Sequence, residues 1–151
     1  MKNPMRKLAA VGVATVAVVA VTMMVSLDGQ TPSNITGDFR NATTAEVRDS
    51  GGTVLMRGTF AATAGDNAKE VERKAALTAL GADGKLAGEA EIEYETDKPD
   101  VHEIEFNVKG VPARAIVTLV LDGRDVVSAT ANDKGEAEAE VNVKTGQSPT
   151  P

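Results

Sequence analysis

Cysteine and tryptophan are absent from all 151 residues. Without thiols there is no disulfide framework, no thiolate nucleophile, no cysteine-based zinc site and no iron–sulfur ligation. Stability therefore has to come from buried apolar surface. Aromatic residues make up only 3% of the chain, as Phe39, Phe60, Tyr94 and Phe106. Sugar-binding surfaces present stacked rings, so this scarcity weakens a carbohydrate-binding reading. There is one histidine, His102, which cannot form a zinc site by itself. Ser33, Ser50, Ser128 and Ser148 all lie outside a Gly-x-Ser-x-Gly setting, so no serine triad is indicated. His102 opens an alternating run and is expected to be an exposed strand-end residue. A glycine-rich phosphate loop and a basic-aromatic stripe are also missing.

Positive charge is short as well, and unevenly placed. The formal net charge is −6, and the first 27 residues hold three of the 16 basic residues and none of the 22 acids. The remainder thus has 13 bases against 22 acids, a net charge of −9. Nucleic acid and anionic lipid headgroups both require clustered Lys and Arg, so neither is an expected partner of this part. A basic partner or cations would be attracted to it.

What the chain does have is an opening segment with an address. Lys2, Arg6 and Lys7 precede an uncharged run of 20 residues from Leu8 to Leu27. As a helix such a run spans about 30 Å, the thickness of a bilayer core. Cleaved signals have shorter apolar regions, about 7–15 residues, and end in a small-x-small site. Val25-Ser26-Leu27-Asp28 offers none. Residues 1–27 are read as an uncleaved signal anchor that contacts the membrane through residues 8–27. Cleavage after Ala20, which would release a secreted protein, is the alternative.

Residues 28–40 are polar, with Gly29, Pro32 and Gly37, and read as a linker. Residues 146–151 form a Pro/Ser/Thr tail too polar to fold. The folded domain is then 41–145, where the dominant period is two. In His102–Lys109, Ile104, Phe106 and Val108 share one face and Glu103, Glu105, Asn107 and Lys109 the other. In Gly88–Glu95, Ala90, Ile92 and Tyr94 oppose Glu89, Glu91, Glu93 and Glu95. In Gly135–Lys144, Ala137, Ala139, Val141 and Val143 oppose Glu136, Glu138 and Glu140. Such alternation marks antiparallel strands with one wet face. Ser50-Gly51-Gly52, Ala82-Asp83-Gly84-Lys85, Asp122-Gly123 and Asn132-Asp133-Lys134-Gly135 supply turns. All six prolines fall outside the expected strands. About eight strands are expected, near 43–49, 53–63, 70–81, 85–95, 102–110, 115–122, 125–131 and 135–144.

The fold class expected is all-β: a single antiparallel β-sandwich, immunoglobulin-like in style, behind an N-terminal apolar helix. One segment leaves an alternative open. Residues 68–80 are rich in helix formers, with Asn67 as a cap and Gly81 as a stop. Read as a strand, the same segment has Arg73 among its apolar positions. A helix there would make the fold α+β. The segments LTALGADGKLAGEAEIEYE and VSATANDKGEAEAEVNV echo each other, as a shared hairpin recipe or a duplication would.

Chemistry is sparse. Paired acids drive glycoside hydrolysis, but Glu89, Glu91, Glu93 and Glu95, like Glu136, Glu138 and Glu140, fall on wet faces with no sign of a raised pKa. The weak candidates for a metal, calcium, are the turn aspartates Asp83, Asp122, Asp125 and Asp133. They do not match an EF-hand loop. No catalytic residue and no cofactor is indicated. The pattern resembles small exported β-sandwich proteins of bacteria as a type, without a motif of any particular family. The expected function is that of an exported, non-catalytic envelope protein, tethered to the membrane, which binds a ligand or an envelope partner or gives structural support. A ligand- or calcium-binding module is the alternative, and a carboxylate-dependent hydrolase a remote one.

Overall fold

The computed structural model describes residues 37–61, 69–81, 84–98 and 100–145. The leader 1–27, the linker as far as residue 36, Asp83 and the tail 146–151 lie outside the described residues. Each alternating run is a strand: β1 Thr44–Asp49, β2 Val54–Thr59, β3 Glu70–Ala79, β4 Ala87–Glu95, β5 Val101–Lys109, β6 Ile116–Leu121, β7 Arg124–Thr130 and β8 Glu136–Lys144. All neighbours are antiparallel, as period-two patterning requires.

The expected division into two sheets is replaced by a single eight-stranded sheet in the order β7-β6-β1-β2-β3-β4-β5-β8. β1 joins what would have been separate layers, because it pairs with β2 on one side and β6 on the other. Irregular registers at Val47/Arg48 and at Leu119/Val120 bend the sheet. The sheet curls until its edge strands β7 and β8 approach, joined by the turn in which the Asn132 N–H donates to Glu136 O at 2.8 Å. No β7–β8 ladder forms, so the barrel is nearly, not fully, closed. The two echoing segments are therefore not equivalent. β3 and β4 form a ladder with each other, whereas β7 pairs with β6 and β8 with β5.

The helix alternative for 68–80 is overturned over the described residues 69–81, which carry β3. Local helix propensity is worth a few tenths of a kcal/mol per residue. The β3–β4 register from Glu70↔Glu95 to Thr78↔Ala87, together with burial of Ala75 and Leu77, outweighs it. Arg73 does occupy an inward-facing position, opposite Ile92. It sits near the barrel end, where its guanidinium donates to the Arg40 carbonyl at 2.6 Å and stacks 5.5 Å from the Phe60 ring centroid. A long stem lying inside with a charged head at the rim is a common use of arginine.

The interior alternates large and small residues across the strands. Phe106, fully buried, stands directly between Ala90 and Ala139. In the next inward row Gly88 separates Leu77 from Val108. A Cβ on Gly88 would lie 2.5 Å from the Asn107 carbonyl oxygen, and one on Gly58 would lie 2.5 Å from that of Ala76. Glycine at these two positions lets the backbones approach closely where the sheet curls.

One end of the barrel is closed by the residues before β1. Phe39 is 1% exposed. Arg124 lies over its ring at 4.1 Å and donates to the Asp38 carbonyl at 3.2 Å. Asp38 and Arg40 form an ion pair at 2.7 Å, and Arg40 stacks 5.9 Å from the Tyr94 centroid. The Arg40 hydrogen bond is the main reason that the Asp38 carboxyl is held down to about 2.

Candidate functional site

The outer face of β3, β4, β5 and β8 concentrates the acids. Register places Lys74, Glu91, Glu105 and Glu140 in one row across the four strands. Glu72, Glu93, Glu103 and Asn142 form the next row, and Ala76, Glu89, Asn107 and Glu138 a third. Directly opposed side chains on a sheet lie about 5 Å apart at Cβ, and like charges there repel. The sequence alternation indicates that each strand has an acidic side. It does not indicate that β5 and β8 are neighbours, and only that adjacency joins the stripes into a face.

Crowding changes the carboxyls, contrary to the expectation that none has a raised pKa. Glu91 is pushed up to about 7, first by burial and then by a hydrogen bond with the Glu72 carboxyl, with Lys74 opposing. Glu72 itself is lowered, chiefly by its bond to Lys74, so of the two carboxyls Glu91 is the one that protonates more readily. Glu93 is also pushed up to about 7, by a hydrogen bond with the Glu70 carboxyl, then by burial, then by repulsion from Glu70, Glu103 and Glu91. Burial raises Glu103 and Glu105, and repulsion from their neighbours adds to it. Lys74, bonded to Glu72 and 3.3 Å from Glu91, is the cation within these rows and is raised in turn, first by its bond to Glu72.

The turn aspartates do not converge. Asp122 and Asp125 belong to the β6–β7 end of the barrel, and Asp133 to the β7–β8 turn at the other end of β7. Asp83 lies outside the described residues. Asp133 pairs with Arg114 at 3.0 Å. Asp122 and Gly123 form a turn with both φ angles positive, 45° and 80°, as a tight hairpin demands. The Asp122 carboxylate accepts from the backbone N–H groups of Thr43 and Thr44 and from both hydroxyls, at 2.8–3.1 Å. Burial opposes its ionisation, but the Thr44 and Thr43 donors outweigh that and hold it below the usual carboxylate range. These contacts clamp the start of β1. Asp122→Ala is expected to lower stability by about 2 kcal/mol, since it orphans two amides at a charged acceptor. Thermal unfolding would show it, and a change below about 0.5 kcal/mol would mean the clamp is idle. Among the described residues no group of three or more His, Asp or Glu side chains is placed to hold a metal ion.

His102 is not the exposed strand-end residue expected from the sequence. It is 1% exposed, the one buried polar side chain among the described residues. Its parity is that of Ile104, Phe106 and Val108, and this inward signal outranks its position at the start of β5. Nε2 accepts the Phe39 N–H at 3.3 Å, so the ring proton is assigned to Nδ1, which has no hydrogen-bond partner. Burial lowers its pKa, with Asp38 opposing and Arg40 adding to the fall. Sequence reasoning also placed Phe39 in the linker 28–40, where its burial carries no periodic signal.

Compared with known proteins, the chain matches no family model, no curated protein and no solved structure.

Proposed function

We propose that this chain is an exported, non-catalytic module of the cell envelope, held at the membrane through residues 8–27 and working by binding or structural support. The observation that carries this reading is the acidic face of β3, β4, β5 and β8, whose adjacent rows of glutamates suit a cationic envelope partner. The inward side chains pack against one another, which leaves recognition to the surface. In this reading β7-β6-β1-β2 and β3-β4-β5-β8 act as two layers of a sandwich-like body, immunoglobulin-like in style, behind an apolar anchor helix.

Cross-linking of the full chain in intact envelopes tests it, alongside a variant with Glu89, Glu91, Glu105 and Glu138 changed to glutamine. A cross-linked species lost in the variant and weakened by salt supports the reading. Equal cross-linking by both proteins contradicts it, as does turnover of any glycoside, ester or peptide substrate.

One observation favours the hydrolase alternative: Glu91 is raised while Glu72 beside it is lowered, the kind of separation that acid–base catalysis uses. Against it, these carboxyls stand on the convex, outward side of a curled sheet. Loss of an established activity in Glu93→Gln and Glu105→Gln variants would restore that alternative.

A further inference from the structure

We infer that residues 37–43 are a strap across the barrel end that acid releases, with His102 as its latch and the Asp122 clamp as its hinge. The inference does not depend on the anchor or on the acidic face. Arg124 and Arg73 donate to the strap's Asp38 and Arg40 carbonyls, and two further attachments of different chemistry set where it opens. At its far end Phe39 is buried, and its amide donates to His102 Nε2 at 3.3 Å. The two rings pack with centroids 6.1 Å apart. At its near end Thr43 and Thr44 are bonded to Asp122.

The latch works only with a neutral imidazole. A second proton must go to Nε2, where the Phe39 N–H already points, and a donor would then face a donor. The imidazolium would also be a buried charge with poor company. From the strap it would meet Asp38 and Arg40, but Asp38 is already bonded to Arg40. From β7 comes Arg124, stacked on Phe39, and from β3 Arg73, bonded to the Arg40 carbonyl. The cross-strand neighbours are Tyr94 on β4 and Val143 on β8, and neither is a carboxylate. Nδ1 has no acceptor to stabilise a charged ring.

Protonation and the docked strap are therefore mutually exclusive. Water reaches His102 when Phe39 leaves, and the imidazolium is then solvated. The Asp122 clamp has its carboxylate held below the usual range, so it stays ionised while His102 titrates. Opening stops at Thr43, and the barrel remains folded. Six residues, 37–42, become free chain, a gain in reach of about 20 Å.

The test is hydrogen–deuterium exchange on the full chain in detergent micelles at about pH 7.5 and about pH 5, corrected for intrinsic exchange rates. Expected is a loss of strap protection of about tenfold or more at the lower pH, with β5 and β8 unchanged. In His102→Gln, whose amide accepts the Phe39 N–H without titrating, strap protection should be the same at both pH values. Equal protection in the native chain, or simultaneous loss from β5 and β8, would overturn the inference. If His102→Gln does not fold, the imidazole resonance of the native chain decides. Its titration midpoint should coincide with strap opening, and opening without imidazole titration would overturn the latch.

Discussion

Truncating Phe106 to alanine is expected to destabilise the protein by about 3–5 kcal/mol, the range for buried aromatic side chains. The reason is local. Phe106 is fully buried, and its inward neighbours on either side are Ala90 and Ala139, with Ala75 beyond Ala90. Alanines have no rotamers with which to fill the space, and close approach at Gly88 in the adjacent row limits backbone collapse. The cavity term should therefore stay near its full value. Denaturant unfolding measures it directly. A loss below about 1.5 kcal/mol would mean that the ring does not fill the space between β4 and β8. Phe60→Ala should cost less, because Phe60 lies at the barrel end with Arg73 over its ring.

Raising the pH from about 5 to about 8 should remove about 3 kcal/mol of stability supplied by Glu91 and Glu93 together, which His102 offsets in part at the acid end. Both carboxyls sit at about 7 in the fold, against 4.5 when free. The folded state thus holds the extra proton between those values. Stability from this source is complete below about 4.5 and is lost as the pH rises through about 7. At about 1.4 kcal/mol per unit the shifts correspond to about 3 kcal/mol each, and exposure to water and the shared neighbours reduce that to roughly half. His102 contributes with the opposite sign. Its folded value lies below 6.5, so its contribution is complete above 6.5 and falls away as the pH drops beneath it. Asp38 and Asp122, both lowered, hold their contributions until more acidic pH. The expected profile rises from pH 8 to a maximum near about pH 6 and flattens below. Thermal melts across that range check it. In the double variant Glu91→Gln with Glu93→Gln the alkaline fall should largely disappear. A native profile flat from about pH 6 to pH 8 would contradict the crowded-carboxylate description.

The strands were legible because each is wet on one side. Glu89, Glu91, Glu93 and Glu95 against Ala90, Ile92 and Tyr94 leave little choice of period or face. The way the strands join was not legible, since nothing in a single strand names its partner. β1 pairing with β6, and β8 with β5, are long-range outcomes, and they alone turn two sheets into one and separate stripes into an acidic face. Arg73 and His102 were misleading for a shared reason. Polar residues on inward parity usually argue against burial, yet near a barrel end one reaches the rim and the other is capped by Phe39. Phe39 itself lies outside any alternating run, so its role follows only from what the curled sheet leaves open. Among the turn aspartates, the Asp122-Gly123 turn was readable, but the partners of Asp122, Thr43 and Thr44, lie 79 and 78 residues away.

The proposed role depends most on where the chain is held. The direct measurement is the intact mass and location of the full chain produced in a cell that exports it. An uncleaved chain starting at Met1 and recovered with the membranes is the predicted result. A soluble chain beginning near Val21 or Asp28 would contradict the tethered account.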